Sequence, residues 1–294
     1  MTGSGSPAAR RASAFLRRFA KPRLIETIPK LRRLQALVER FSSPLPAPFA
    51  PDIPADWIPA AGALSGVTLV YLYGGAFLLG SPPFYRFVSR QFARAGFDVF
   101  TPAYRLAPEH VFPAALDDVF AAWRALVAAR PGPVVLAGDS AGGGLAVSLM
   151  LRARDEGVRL PNAAALFSPW TDLSVSGPSL RQNEEKDALF TRRTILSGAR
   201  AALGRASAKN PMASPVYADL AGMPPLIVHT GIDEALRDDS VRLVARARAA
   251  GVAAELELWP DVPHAWQLMP FIPEARESRE KAIAFLRTSL NSES

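Results

Sequence analysis

Short apolar runs of strand length alternate with longer amphipathic stretches over most of the chain. Many of the intervals between runs carry helical patterns, such as "ALDDVFAAWRALVAA" and "SVRLVARARAAG". Near-continuous apolar strands that alternate with helices predict an α/β fold with a mostly parallel central sheet covered by helices. Six runs have the composition of buried strands and span 66–73, 97–104, 133–139, 162–170, 224–231 and 253–259.

Two segments interrupt this alternation. Six prolines between Pro44 and Pro59 predict an extended linker or wrapping segment. Residues 172–215 are polar and helix-prone, and they separate two predicted strands. Because long insertions of this kind often form lids, we expect a cap insertion at about 172–212. Together with basic helices in residues 1–45, it is expected to cover the carboxyl edge of the sheet.

Basic residues are concentrated at the N-terminus. Residues 1–40 carry ten Lys and Arg against two Glu, a charge of +8, so the remaining 254 residues sum to −1. No nucleic-acid-reading motif accompanies this charge, and no nucleic-acid partner is expected. The apolar spacing from Ile28 to Phe41 predicts an amphipathic helix. We favour a helix that covers the body, and we keep open a peripheral contact of residues 1–40 with anionic lipid.

Composition excludes several kinds of chemistry. The chain has no cysteine and three histidines, so it offers almost nothing from which to build a metal site, and no metal or cofactor is expected. It has no apolar run of the roughly 18–20 residues that a membrane-spanning helix needs. We therefore expect a cytoplasmic protein, with membrane-peripheral attachment as the alternative.

The segment "VVLAGDSAGGGLAVSLMLRA" contains the pattern G-x-S-x-G between a predicted strand and a predicted helix. In that context the pattern predicts a strained turn that exposes the hydroxyl of Ser140 at the start of a helix. The amides at the helix N-terminus would then face a developing negative charge. The alternative is that these glycines only allow the helix and the strand to pack closely.

A serine nucleophile needs a base, and the chain offers three histidines. His229 lies inside a predicted strand, which favours a buried core residue, and His110 precedes Ser140 in a predicted loop. His264 follows the last predicted strand, at the edge where active sites of such sheets assemble. We therefore choose His264 as the general base.

The acid that orients the base is expected between the serine and the histidine in sequence. The loop "HTGIDEALRDDS" follows a predicted strand and contains four acidic residues. Asp238 and Asp239 precede a helical run, where acids commonly cap a helix. We choose Asp233, two residues after the glycine turn, with Glu234 as the main rival.

Several motifs follow one another in the order found in a known family. They are "YLYGGAF", "YRLAPEHVFPAALDD", "GDSAGGGLA", "SPWTDLS", "PVYADLAGMPPLIVHTG" and "LWPDVPHAW". Over roughly residues 66–270, about 70% of the chain, the sequence closely resembles the hormone-sensitive-lipase-like family of α/β-hydrolases, in the branch of bacterial esterases and lactone hydrolases. The resemblance implies an α/β-hydrolase fold with a helical cap, a catalytic domain at 46–294, and a triad of Ser140, Asp233 and His264.

The resemblance also gives a role to the segment "YGGA". The family carries H-G-G-G here, and the match implies an oxyanion hole made by the amides of Gly75, Ala76 and Ala141, supported by Tyr73 and Gly74. A structural glycine turn is the alternative, and a phosphate-binding loop is excluded because its glycine and lysine pattern is missing. Alanine in place of the third glycine makes a positive φ costly.

The predicted activity is that of a serine carboxylesterase that cleaves small to medium acyl esters or lactones through an acyl-enzyme. Phe77, Leu78 and Trp266 are candidates for the acyl or alcohol pocket, with a plain core role as an equal alternative. A second interpretation is a weakly active or inactive receptor that binds small ligands on the same fold. A homodimer stays open.

Overall fold

The structure of the protein is a computed structural model that describes residues 4–43, 45–61 and 66–290. Within these residues the strands are Ala55–Ile58 (β1), Thr68–Leu72 (β2), Asp98–Pro102 (β3), Val134–Asp139 (β4), Ala164–Phe167 (β5), Leu226–Gly231 (β6) and Ala254–Trp259 (β7). They form one sheet in the order β1-β3-β2-β4-β5-β6-β7. β1 runs antiparallel to β3, and all other neighbours in this sheet are parallel.

Helices connect the parallel strands and flank the sheet. In the described part of the chain they are Pro7–Phe15 (α1), Leu24–Phe41 (α2), Pro82–Arg94 (α3), Ala114–Ala129 (α4), Ser140–Asp155 (α5), Ser179–Gln182 (α6), Arg192–Leu203 (α7), Arg237–Ala249 (α8) and Pro273–Leu290 (α9). Helices α3, α5 and α8 follow β2, β4 and β6 directly. The mostly parallel, helix-covered sheet predicted from the apolar pattern is therefore confirmed.

Burial explains why the central strands read as continuous apolar runs. Every residue of β2, β4, β5 and β6 is buried, because helices cover both faces of a parallel sheet. The strands are shorter than the predicted runs: the run at 162–170 contains only Ala164–Phe167 as strand. Strand β1 lies inside the proline-rich segment, where the sequence predicted extended chain but no pairing. It occupies an edge of the sheet, and Pro54 and Pro59 lie directly outside its two ends.

The N-terminal helices lie against the body and against the insertion. Helix α1 is anchored by Ser6, whose amide and hydroxyl both donate to the carboxylate of Glu274 at the start of α9. Beyond α1, Arg17 donates to the carbonyl oxygen of Lys186, and Lys21 donates to that of Asp187 at 2.9 Å. The N-terminal segment and the 172–212 insertion therefore contact each other directly.

Helix α2 buries little of its surface. None of its residues is fully buried, and Leu34, Leu37 and Phe41 are 48%, 52% and 76% exposed. Among the described helices, none is long and apolar enough to cross a bilayer. Two polar side chains of α2 reach the body. Arg32 donates to the carboxylate of Glu109 at 2.7 Å, and Gln35 accepts from the Gly80 amide at 2.8 Å and donates to the Gly80 carbonyl at 3.0 Å.

Candidate active site

The chain turns sharply from β4 into α5 at Ser140. The φ angle of Ser140 is +52°, a left-handed conformation that is costly for a residue with a Cβ. A Cβ on Gly138 would lie 2.7 Å from the carbonyl oxygen of Gly142, and one on Gly142 would overlap the carbonyl oxygen of Leu72. The two glycines thus let α5 approach the sheet closely, and the serine is held at the carboxyl end of β4.

His264 follows β7 and is paired with a carboxylate. Its Nδ1 lies 2.6 Å from Oε2 of Glu234. The second carboxylate oxygen of Glu234 accepts from the Gly231 amide at 2.6 Å and from the Ser168 hydroxyl at 2.7 Å. Nε2 of His264 is buried and has no hydrogen-bond partner in the described chain. One ring nitrogen is therefore fixed by the carboxylate, and the other is available for proton transfer.

The structure brings Glu234, not Asp233, to His264, so the predicted contact of Asp233 is wrong. After β6 the chain turns, and the Glu234 amide donates back to the Gly231 carbonyl at 3.3 Å. This turn directs the Glu234 side chain into the core, where it is 1% exposed. Asp233 is half-buried and lines an outer cleft with Arg10 and other polar residues.

The charges around His264 favour its protonated form. Burial, the largest single influence, lowers the pKa of the imidazole, while the charge and hydrogen bond of Glu234 raise it. Asp187 and Asp139 add further negative charge, and the pKa of His264 ends above its ordinary value of 6.5. A paired imidazole of this kind is a stronger base than a free one.

The segment "YGGA" forms a tight loop against the serine turn. A Cβ on Gly74 would lie 3.0 Å from the Cβ of Ser140, and one on Gly75 would overlap the Leu79 backbone. Gly75 and Ala76 have φ angles of +117° and +57°. No described acceptor takes a hydrogen bond from the amide of either residue. The expected cost of alanine at a positive φ is thus present, and neither amide is paired with an acceptor among the described residues.

Tyr73 is turned away from this loop into the core. Its ring stacks on that of Tyr104 with centroids 4.2 Å apart and an interplanar angle of 13°. The Tyr73 hydroxyl accepts from the Tyr104 amide at 3.1 Å, while the Tyr104 hydroxyl donates to the Tyr73 carbonyl at 2.6 Å. Burial raises the pKa of the Tyr73 phenol, which therefore stays protonated. These contacts hold Tyr73, at the start of the loop, against Tyr104.

Asp139 joins the loop to the serine turn, a function that the sequence did not reveal. One oxygen accepts from the Tyr71 hydroxyl at 2.9 Å and the Gly74 amide at 3.1 Å, and the other accepts from the Tyr85 hydroxyl at 3.3 Å. Burial raises the pKa of Asp139 to about 6, and these hydrogen bonds and the charge of His264 lower it only in part. The residue before Ser140 therefore lies within the electrostatic reach of His264.

The three predicted pocket residues lie in different surroundings. Phe77 lines a small cavity of about 30 Å³ between the loop and α5, together with Leu145 and Ala202. Leu78 is buried at 7% exposure and lines none of the described cavities. Trp266 is fully buried in a separate apolar cluster with Trp259, beneath α1, so its placement in a pocket is wrong.

The other histidines take no part in this arrangement. His229 is fully buried, and its Nδ1 lies 2.7 Å from the Ser278 hydroxyl. Burial lowers its pKa to about 3, as expected for a neutral core histidine. His110 is exposed in a turn. Among the described residues, no group of His, Asp and Glu is arranged to hold a metal ion.

Comparison with known proteins assigns the chain to a family. A family model for the alpha/beta hydrolase fold matches residues 69–268. The chain is 41% identical over 239 residues to an acetyl-hydrolase from Streptomyces hygroscopicus, covering 80% of each protein. It is 34% identical over 228 residues to an esterase from Acinetobacter venetianus, covering 76% of this chain and 75% of the relative.

Solved structures agree with this assignment. An esterase of the bacterial hormone-sensitive lipase family has a TM-score of 0.87 and 37% identity, covering 98% of this chain and 100% of the other. The esterase EstE5, soaked with p-nitrophenyl butyrate, has a TM-score of 0.86 and 34% identity, covering 97% and 99%. The chain therefore belongs to the hormone-sensitive-lipase-like family of α/β-hydrolases and is a carboxylesterase-type hydrolase.

Proposed function

We propose that this enzyme hydrolyses small to medium acyl esters through a covalent acyl-enzyme on Ser140. The observation that carries the proposal is the hydrogen bond between Glu234 and Nδ1 of His264, which leaves Nε2 of a buried imidazole unpaired. The strained serine turn and the unpaired amides of Gly75 and Ala76 support the same chemistry.

In the first half-reaction the Ser140 oxygen attacks the ester carbonyl carbon, and its proton passes to Nε2 of His264. The carbonyl oxygen becomes an oxyanion held by the amides of Gly75, Ala76 and Ala141. The intermediate collapses, the bond to the alcohol breaks, and the alcohol leaves with the proton from His264. Water then repeats these steps on the acyl-enzyme and releases the acid. Glu234 keeps the imidazole in the required tautomer and stabilises the imidazolium.

The burial of the reacting residues and the small apolar cavity next to the loop support short acyl groups as substrates. Ser140 and His264 are only 7% and 6% exposed. The cavity beside the loop is small and mostly apolar, with Phe77, Leu116 and Leu145 in its wall. We place lactones beside linear esters as substrates, because both present the same carbonyl to the serine.

The proposal is tested with p-nitrophenyl esters of increasing acyl length and a parallel series of lactones. The wild-type enzyme and Ser140→Ala are compared, with Ser289→Ala in the last turn of α9 as a control for the loss of a hydroxyl. We expect turnover of the short esters that disappears in Ser140→Ala alone. Turnover that survives this substitution would exclude Ser140 as the nucleophile, and an inactive wild type would favour a ligand-binding receptor.

The N-terminal region supports a second proposal, a peripheral contact with an anionic membrane surface. Large apolar side chains of α1, α2 and the segment between them remain exposed, among them Phe15 at 61%, Leu37 at 52% and Phe41 at 76%. Residues 1–40 carry a charge of +8, while the rest of the chain is close to neutral. Exposed aromatic and basic side chains on one helical segment are typical of interfacial binding.

Sedimentation with vesicles tests this contact. Vesicles of phosphatidylcholine with phosphatidylglycerol should bind the full chain at low salt, and vesicles of phosphatidylcholine alone should bind it weakly. Leu37→Asp with Phe41→Asp should abolish binding, while Leu258→Asp, which changes an exposed residue of β7, should not. Equal binding by all variants would refute the proposal. A dimer that dissociates in the double variant would show that a second copy covers this face.

A further inference from the structure

The turn at residues 183–187 of the insertion forms hydrogen bonds with the backbone around Glu234. Nδ2 of Asn183 donates to the carbonyl oxygens of Ile232 and Glu234, each at 2.9 Å. Oδ2 of Asp187 accepts from the Ala235 amide at 2.6 Å. Asn183 and Asp187 are 3% and 1% exposed, so these bonds form away from water. Buried polar contacts of this kind fix geometry, because each lost partner leaves an unpaired group.

The same carboxylate also fixes a residue that touches the base. Oδ1 of Asp187 accepts from the amides of Leu189 and Phe190, each at 2.6 Å. The Phe190 ring then packs on the His264 imidazole, with centroids 4.7 Å apart and an interplanar angle of 70°. Asp187 thus connects the loop of the orienting acid to the ring that covers the base.

We propose that Asn183 and Asp187 are positioning residues through which the cap insertion sets the geometry of the Glu234–His264 pair. The proposal rests on the catalytic role proposed for that pair. The bonds to Leu189 and Phe190 alone would be an ordinary local turn made by an aspartate. The bond to Ala235 crosses 48 residues of sequence, and Asn183 contributes two further bonds to the same loop. A local turn requires none of these three.

Charge gives Asp187 a second influence that Asn183 lacks. Asp187 faces Glu234, and Lys21 donates to its carbonyl oxygen from the N-terminal segment. Arg17, Glu184 and Glu185 also act on Lys21, while Asp139 faces His264 from the sheet. Burial raises the pKa of Asp187, its three backbone hydrogen bonds lower it, and the charge of Glu234 raises it. An ionised Asp187 favours the imidazolium of His264, so its removal should lower the pKa of His264.

Two variants distinguish the effect of the hydrogen bonds on position from the effect of the Asp187 charge. Asp187→Asn removes the charge and faces the Ala235 amide with either a weaker acceptor or a second donor. Asn183→Ala removes two donors and leaves every charge in place. The exposed Glu185→Gln removes a charge two residues from Asp187 and serves as the matched control. The readouts are kcat and KM for p-nitrophenyl acetate, the pH at which kcat/KM is half-maximal on the acid side, and Tm.

We expect kcat to fall by about 10- to 100-fold in Asp187→Asn and Asn183→Ala, with KM within about twofold, because small displacements of reacting groups have effects of this size. The pH at which kcat/KM is half-maximal on the acid side, called the acid limb below, should move to lower pH in Asp187→Asn only. Glu185→Gln should match the wild type in every readout.

Folded Asp187→Asn and Asn183→Ala proteins that both keep the wild-type kcat and acid limb would overturn the proposal. If Asp187→Asn does not fold, Asn183→Ala alone tests the proposal, and an unchanged kcat in this variant would overturn it. The activity of Ser140→Ala is measured alongside. If Ser140→Ala keeps the wild-type turnover, the proposed function fails, whatever the effect of Asp187→Asn and Asn183→Ala.

Discussion

Oε2 of Glu234 and Nδ1 of His264 lie 2.6 Å apart, at the short end of hydrogen bonds between charged partners. Both side chains are buried, with exposures of 1% and 6% for the whole residues. The neighbouring Asp233 faces an outer cleft and has no bond to the ring. Two adjacent carboxylates therefore occupy different environments, and this difference can be tested by substitution.

Glu234→Gln should lower kcat for p-nitrophenyl acetate by roughly 10³–10⁴-fold, because an amide no longer stabilises the imidazolium and can favour the wrong tautomer. Asp233→Asn is the matched control, since it removes the adjacent carboxylate. It should retain activity within about twofold of the wild type, because Asp233 has no bond to the His264 ring. A large loss in Asp233→Asn with an active Glu234→Gln would reverse the assignment.

The sequence could place the acid that orients His264 in the loop after β6, but it could not choose between the neighbours Asp233 and Glu234. The order of serine, acid and histidine along the chain and the position after a strand placed the acid near 233–234. The choice depends on the turn at Gly231, which returns the Glu234 carboxylate to the Gly231 amide. That turn is set by contacts with Ser168, Asn183 and Asp187, which lie far away in sequence.

The acid limb of the pH–rate profile should lie above the ordinary histidine value. His264 must be neutral to accept the serine proton, and its pKa is raised above 6.5 because Glu234, Asp187 and Asp139 outweigh burial. Activity should therefore fall as the pH drops through the raised value. The measurement is kcat/KM for p-nitrophenyl acetate between about pH 5 and about pH 9. A flat profile would contradict the role of His264 as base.

Gln35→Met should lower kcat by about tenfold through a small shift of the oxyanion loop. Gln35 holds both backbone groups of Gly80, and Gly80 packs on the Tyr73 ring. The loss should be smaller than the roughly 10²–10³-fold that follows removal of an oxyanion donor. Leu37→Met on the exposed face of α2 is the control. An unchanged kcat in Gln35→Met would mean that α2 does not support the loop.

Asp239 should make stability depend on pH. Burial first, and then the charge of Asp172, raise its pKa from 3.8 to about 8, and hydrogen bonds from the amides of Thr171 and Asp172 only partly oppose them. The folded state therefore holds a proton that the unfolded state loses, so this contribution to stability is full below about pH 4 and is lost as the pH rises towards 8.

Urea unfolding at several pH values tests this dependence. The free energy of unfolding of Asp239→Asn should fall less than that of the wild type between about pH 5 and about pH 8, because asparagine does not titrate. Asp52→Asn, which changes an exposed aspartate, should follow the wild type. Parallel curves for all three proteins would show that Asp239 is not protonated in the folded state.

The fold was predictable because its central strands are buried on both faces and read as continuous apolar runs. The short edge strand β1 was missed because it has only four residues and six prolines lie on either side of it. Ser140 and His264 could be proposed from the sequence because a turn motif and the position after a strand mark such residues locally. Trp266 and Asp139 required the structure, since no sequence pattern distinguishes an aromatic core residue from a pocket residue or reveals three donors to one buried carboxylate.

Trapping of the nucleophile tests the central claim most directly. The wild type and Ser140→Ala are treated with diethyl p-nitrophenyl phosphate, which phosphorylates an activated serine, and the modified residue is located by peptide mass spectrometry. The proposed mechanism predicts one diethylphosphoryl group on Ser140 of the wild type, loss of esterase activity in step with labelling, and no labelling of Ser140→Ala. Labelling of another residue with Ser140 unmodified, together with loss of activity, would contradict it.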